Sequence, residues 1–260
     1  MSYTLIALVL LVACTLTYMA LSLGRKGGIE VLRNAKEEWP FVLLLLASLG
    51  GRAWAERSIV ISAPPLLLPD AFHLLGKEVA VMQSRFPGEL VSFFSFLYVI
   101  VFPLTLLTAS LWILSRDHSR FRTYCASVAI ASIILLMAHM LILSTRPALD
   151  PASGISPLLY QDPLWGPLSS DLISRGQSFP SGHTVLLTVV VLSLQGEGRA
   201  VTIALSILCL TMPGLLYLGL HWPADLVFGL LLGWFSAVSG RSLLGISGGG
   251  RPTRWRRGSL

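Results

Sequence analysis

Long apolar runs separated by short polar connections dominate the chain, with hydrophobic stretches over 3–23, 40–58, 92–115, 123–145, 181–196, 199–219 and 223–241. Runs of this kind approach or reach the about 20 residues an α-helix needs to cross a hydrocarbon core. The pattern predicts an all-α, polytopic membrane bundle of about seven transmembrane helices. The 40–58 stretch is the least regular, because Gly50, Gly51, Arg52 and Arg57 interrupt its second half. Between 59 and 91 no clean span forms: Pro64, Pro65 and Pro69 break the chain. Asp70 to Gln83 then mixes apolar and charged positions, as an amphipathic helix lying in the interface or re-entering the membrane does. Three regions follow, comprising N-terminal spans with an interfacial or re-entrant segment (1–91), a helical core (92–241) and a basic, disordered tail (242–260).

Composition agrees with this solvent assignment. Hydrophobic residues make up 54% of the chain and charged residues 12%, too few charges to cover a water-facing surface. The first run lacks the positive n-region and small-residue cleavage site of a signal peptide and is expected to be retained. Cys14, Cys125 and Cys209 fall far apart within apolar runs, a pattern that suits small core residues rather than a disulfide framework or a metal cluster.

The positive charges set an orientation. With Met1 outside, one side carries Arg25, Lys26, Arg33, Lys36, Arg116, Arg120, Arg122, Arg199, Arg241, Arg251, Arg254, Arg256 and Arg257, which is 13 of the 19 Lys and Arg. Arg52, Arg57, Lys77, Arg85, Arg146 and Arg175 lie on the other side. The excess marks the first side as cytoplasmic, so the C-terminus is expected inside a cell membrane and the N-terminus outside. The net charge of +6 is mostly this bias plus the tail, and the basic residues are spread over several loops. No nucleic-acid partner is implied; membrane lipids are the expected surroundings.

Polar residues gather at the mouths of particular spans. Ser181, Gly182 and His183 open the fifth, His221 ends the sixth, Asp225 begins the seventh, and Arg146 follows the fourth. All fall on the outer face, where they can share one pocket reached by both water and a lipid headgroup. Ionisable residues within a membrane bundle call for a functional explanation. His221 and Asp225 are spaced i, i+4, so the carboxylate can hold the imidazole in one tautomer if Trp222–Pro223 is already helical, leaving the second nitrogen free to act as a nucleophile. His183 suits a general acid for the departing oxygen. Ser181 and the amides around Gly182 suit an oxyanion cradle at a helix start, and Arg146 offers a fixed cationic fork for phosphate oxygens. No metal or other cofactor is called for.

The blocks Thr145-Arg146-Pro147, Pro180-Ser181-Gly182-His183 and His221-Trp222-Pro223-Ala224-Asp225 resemble the signatures of the PAP2 superfamily of lipid phosphate phosphatases and phosphotransferases. The resemblance covers roughly 92–241 and implies a PAP2-type catalytic core there. It also carries His139 onto the position of the family's lysine, which makes it a candidate phosphate contact. Gly214-Leu215 falls where the family has Ser-Arg. Phe93 to Tyr98 with Phe102-Pro103, and the Tyr-Leu-Gly-x-His-Trp form of the last block, look most like archaeal members and the branch related to inositol phosphorylceramide synthases. The implied activity is a metal-independent lipid phosphatase or diphosphatase that hydrolyses a lipid-linked phosphate through a phosphohistidine at the outer face. With two family cations absent, the pocket suits a monoanionic diester better than a dianionic monoester, unless Arg175, Lys77 or Arg57 makes up the charge. Transfer of a phospho-headgroup to an alcohol such as inositol is therefore an alternative, and a non-catalytic lipid-binding relative a further one.

Overall fold

The computed structural model describes residues 17, 24–58, 66–67, 75–86, 88–172 and 178–245. The expected span at 3–23, the candidate cation Arg175 and the tail beyond Gly245 lie outside the described residues. In chain order the helices are α1 (Gly24–Glu37), α2 (Trp39–Ser58), α3 (Gly76–Arg85), α4 (Glu89–Arg116), α5 (His118–Leu141), α6 (Leu158–Gln161), α7 (Trp165–Leu172), α8 (Gly182–Ser193), α9 (Arg199–Tyr217) and α10 (Pro223–Leu243). Among the described residues the fold is helical apart from one parallel pairing of β1 (Leu66–Leu67) with β2 (Ile142–Leu143).

Among the described residues four helices are long and apolar enough to cross a membrane: α4, α5, α9 and α10. Helix α2 forms over its expected range, although Arg52 and Glu56 lower its apolar character. Two boundaries differ from the hydropathy pattern. Helix α5 starts at His118, where the Asp117 carboxylate caps it by accepting Arg120 N–H at 2.9 Å, and it stops at Leu141 because the next two residues turn extended to pair with β1. Helix α8 spans 12 residues rather than the whole of 181–196, and Gly196 at φ 87° lies in the turn that follows it.

Helix α5 is the hub of the bundle. It packs on α2, α8 and α10, and its Phe121, Tyr124, Cys125, Val128, Ala131 and Leu135 join Val185, Leu186 and Val189 of α8 in one buried cluster. Glycines govern the seam between α8 and α10. A Cβ on Gly233 would lie 2.6 Å from Thr188 Cβ and 2.7 Å from Val185 O, and one on Gly229 would lie 2.9 Å from Thr184 Cβ. Small residues permit this backbone approach, which substitutes for a hydrophobic driving force between helices in lipid. The opposite face of α10 exposes Val227, Leu231, Trp234 and Val238, at helical spacing.

Ion pairs hold the two ends of the bundle differently. At one end Arg122 donates to both oxygens of Glu38 at 2.7 and 2.8 Å, His118 Nδ1 lies 2.9 Å from Glu38 Oε1, and Arg120 pairs with Glu197 at 2.8 Å. Arg241 donates to Leu192 O at the same end. The bidentate Arg122 contact, set against burial, which opposes ionisation, and joined by His118, holds the Glu38 carboxyl below the usual glutamate range. The other end carries the polar residues singled out by the sequence.

Candidate active site

The last motif is built around a helix start. Trp222 is extended (φ −81°, ψ 155°) and Pro223 opens α10, so the His221–Asp225 contact is not made along a helical face as the i, i+4 spacing suggested. Instead Asp225 reaches back over the first turn. Its Oδ2 accepts the Trp222 backbone N–H at 2.8 Å and lies 3.2 Å from His221 Nδ1. Proline at this position costs no hydrogen bond, since the first N–H groups of a helix have no intrahelical acceptor. Asp225 is fully buried and His221 only 7% exposed. Among the described residues Nε2 of His221 has no hydrogen-bond partner, so the contact to Asp225 leaves that nitrogen available.

The approach to His221 is a tight turn. Gly219 adopts φ 74°, and a Cβ there would lie 2.8 Å from both Ala148 Cβ and Ser156 O. Only glycine fits this conformation in so little space. The turn is tied to the Arg146 segment, because Ala148 N–H donates to Gly219 O at 3.0 Å and Trp222 Nε1 donates to Thr145 O at 2.9 Å. Trp222 is thereby a buried strut. Arg146 is itself buried and donates from Nη1 to the Tyr160 hydroxyl at 2.7 Å.

The Pro-Ser-Gly-His loop meets the same end. Ser178 N–H donates to Ser144 O, the Ser144 and Ser178 hydroxyls lie 2.7 Å apart, and Ser181 N–H donates to Asp225 O at 3.1 Å. Ser181 caps α8 through Thr184 N–H at 3.4 Å. Among the described residues the amides of Gly182 and His183 meet no acceptor, which leaves two donors at a helix start. The His183 ring stacks on Tyr98 (centroids 4.3 Å apart, planes at 25°), touches Phe102 (4.1 Å) and lies 6.5 Å from the His221 ring.

Tyr98 and Phe102 reach His183 through a local irregularity. Helix α4 widens to a π turn over Leu97–Val101, in which Phe102 N–H donates to Leu97 O. Pro103 follows and has no N–H to continue the regular ladder. The apolar pattern of α4 gives no sign of this turn, although the proline beside it is a readable cue.

Other expected contacts are arranged differently. His139, aligned with the family lysine, has both ring nitrogens engaged: Nδ1 lies 2.8 Å from Glu56 Oε1 and Nε2 3.2 Å from Pro180 O. Glu56 Oε1 also accepts from Arg52 Nη1 at 2.6 Å. Arg52, which the sequence presented only as an interruption of α2, thus stands beside the loop, and a Cβ on Gly182 would lie 3.6 Å from its Nη1 and 3.9 Å from its Nη2. Leu215, at the place of the family arginine, is 1% exposed and packs with Tyr98, Leu159, Leu218 and Leu226, while a Cβ on its neighbour Gly214 would lie 2.5 Å from Phe94. Lys77 lies on α3 with an exposed side chain.

A family model of the PAP2 superfamily matches residues 120–244. The match takes in Arg146, Ser181–His183, His221 and Asp225 and leaves Arg52 and Glu56 outside. Members of that family are phosphatases and phosphotransferases. No curated protein and no solved structure matches the chain.

Proposed function

We propose that the chain is an integral-membrane lipid phosphatase or diphosphatase that works through a phosphohistidine on His221. The observation that carries this reading is the buried Asp225 carboxylate at 3.2 Å from His221 Nδ1 with His183 across the pocket. In the first step Nε2 of His221 attacks phosphorus as the bond to the lipid oxygen breaks. The leaving oxygen takes a proton from His183, and the N–H at Nδ1 remains on Asp225, which stabilises the cationic ring. In the second step water attacks the phosphorus, His183 recovers a proton from it, and His221 departs as the free imidazole. Arg146 and the amides of Gly182 and His183 hold the phosphoryl oxygens as negative charge gathers on them.

The site faces outward in this reading, across a cell membrane with the C-terminus inside. Its support is the gathering of Arg116, Arg120, Arg122 and Arg241 at the bundle end opposite His221. Headgroup transfer to an alcohol is the second reading. It draws on the apolar Gly214–Leu215 pair, which adds no cation for a dianion.

Phosphate release by the purified full chain from a panel of lipid mono- and diphosphates, with and without acceptor alcohols, tests both readings. His221→Ala should lose several orders of magnitude in rate while still folding. Retention of more than about a tenth of the activity would remove His221 from the mechanism, and alcohol-dependent lipid products in place of free phosphate would establish transfer.

A further inference from the structure

A cation that the family motifs do not include stands at the start of α8. Helix α2 brings the Arg52 guanidinium to the start of α8, within 3.6 Å of where a Gly182 side chain would begin and next to the two amides that meet no acceptor. Among the described residues its one hydrogen-bond partner is Glu56, i, i+4 on the same helix, and Nε is buried without a partner. The side chain is 17% exposed, so water does not screen it strongly. Glu56 is tied in turn to His139, and His139 to the carbonyl of Pro180 immediately before Ser181. Both nitrogens of His139 therefore lie within hydrogen-bond distance of an oxygen, which fixes the ring between Glu56 and the Pro180 carbonyl.

We propose that Arg52 is a phosphate-binding residue of this site, held by Glu56 and His139, and that it supplies the charge which Leu215 withholds. The assignment rests on the phosphatase reading above. Its consequence is a preference: Arg52 and Arg146 together give two fixed cations, which match the dianion of a lipid phosphate monoester or the terminal phosphate of a diphosphate better than a singly charged diester. The arginine comes from the N-terminal helices rather than the matched core, so the chain has moved a charge from one helix to another instead of losing it. His139, aligned with a lysine that would contact phosphate directly, acts here as a positioning residue behind the arginine.

The test uses the full chain in detergent with vanadate as the phosphate probe, followed by kinetics on one lipid monoester and one diester. Arg52→Gln should weaken vanadate binding about ten- to a hundredfold and raise KM for the monoester more than for the diester. Arg52→Lys should recover part of both, and Glu56→Gln should fall between wild type and Arg52→Gln. If Arg52→Gln does not fold, wild-type protein answers the question by phenylglyoxal labelling of Arg52 read by mass spectrometry, which vanadate should slow. Vanadate affinity and monoester KM unchanged in folded Arg52→Gln, or labelling unaffected by vanadate, overturns the role of Arg52 alone. Absence of both turnover and vanadate binding in the unmodified chain overturns the phosphatase reading beneath it.

Discussion

The ring of Tyr98 lies flat against the imidazole of His183, with centroids 4.3 Å apart, and Phe102 closes the adjacent side. Two sides of the His183 ring are therefore aromatic, and these contacts fix the plane of the imidazole.

Tyr98→Phe should keep this contact and remain near wild type in kcat, because stacking needs the ring and not the hydroxyl. Tyr98→Leu removes an aromatic pair worth about 0.5–1.5 kcal/mol. Its kcat is expected to fall several-fold with little change in KM. Steady-state kinetics on the two variants decides the matter, and equal losses would point to the hydroxyl instead.

Asp225→Asn should separate holding the helix from holding the histidine. An asparagine oxygen can still accept the Trp222 N–H, so the melting temperature should shift little. The charge that stabilises the His221 cation is gone, however, and kcat should drop about a hundredfold or more. A variant that melts early with normal kcat would make Asp225 a structural residue only.

Leu215→Arg should not restore the family motif. The position is 1% exposed within an apolar cluster, and burying an unpaired charge costs several kcal/mol. The expected result is a loss of folded protein, measured by thermal melting and by monodispersity in detergent. A stable variant with enhanced monoester turnover would show that the cluster can open.

Glu38 gives the bundle an acid-sensitive joint. Its carboxyl is held below the ordinary glutamate range by Arg122, so the stability it contributes is complete above that range and is lost as pH falls through the lowered value. Thermal melting against pH should show a decline on the acid side that Glu38→Gln abolishes. That variant should be less stable at neutral pH by about 1–3 kcal/mol.

How much of this site could be read from the sequence depended on where each residue sits relative to a helix end. His221, Asp225, Ser181 and His183 stand at junctions between apolar runs, where a polar residue is conspicuous and the topology alone brings them to one face. The i, i+4 spacing identified the right carboxylate but the wrong geometry, because Pro223 starts the helix after the histidine rather than before it. Arg52 and Glu56 escaped notice because charged residues near the end of a span look like ordinary interfacial punctuation, and only packing reveals that Arg52 turns toward Gly182 and Glu56 toward His139. Tyr98 was hidden within an unbroken apolar run. The four long helices followed directly from hydropathy, whereas the early stop of α5 depends on a strand partner from a distant segment.

The glycine seam between α8 and α10 fixes how close the starts of the two helices lie. His183 opens α8, and Asp225, which contacts His221, opens α10. With glycine at 229 and 233 facing Thr184, Val185 and Thr188, no bulky side chain acts as a compressible spacer between the two helices. Ser181 N–H adds a backbone bond to Asp225 O at their shared end. The spacing of the backbones that carry His183 and Asp225 is therefore set by two polypeptide segments in near contact, with no large side chain between them. Under the proposed mechanism, differences in substrate range then fall to the side chains around the two helix starts rather than to the spacing between them.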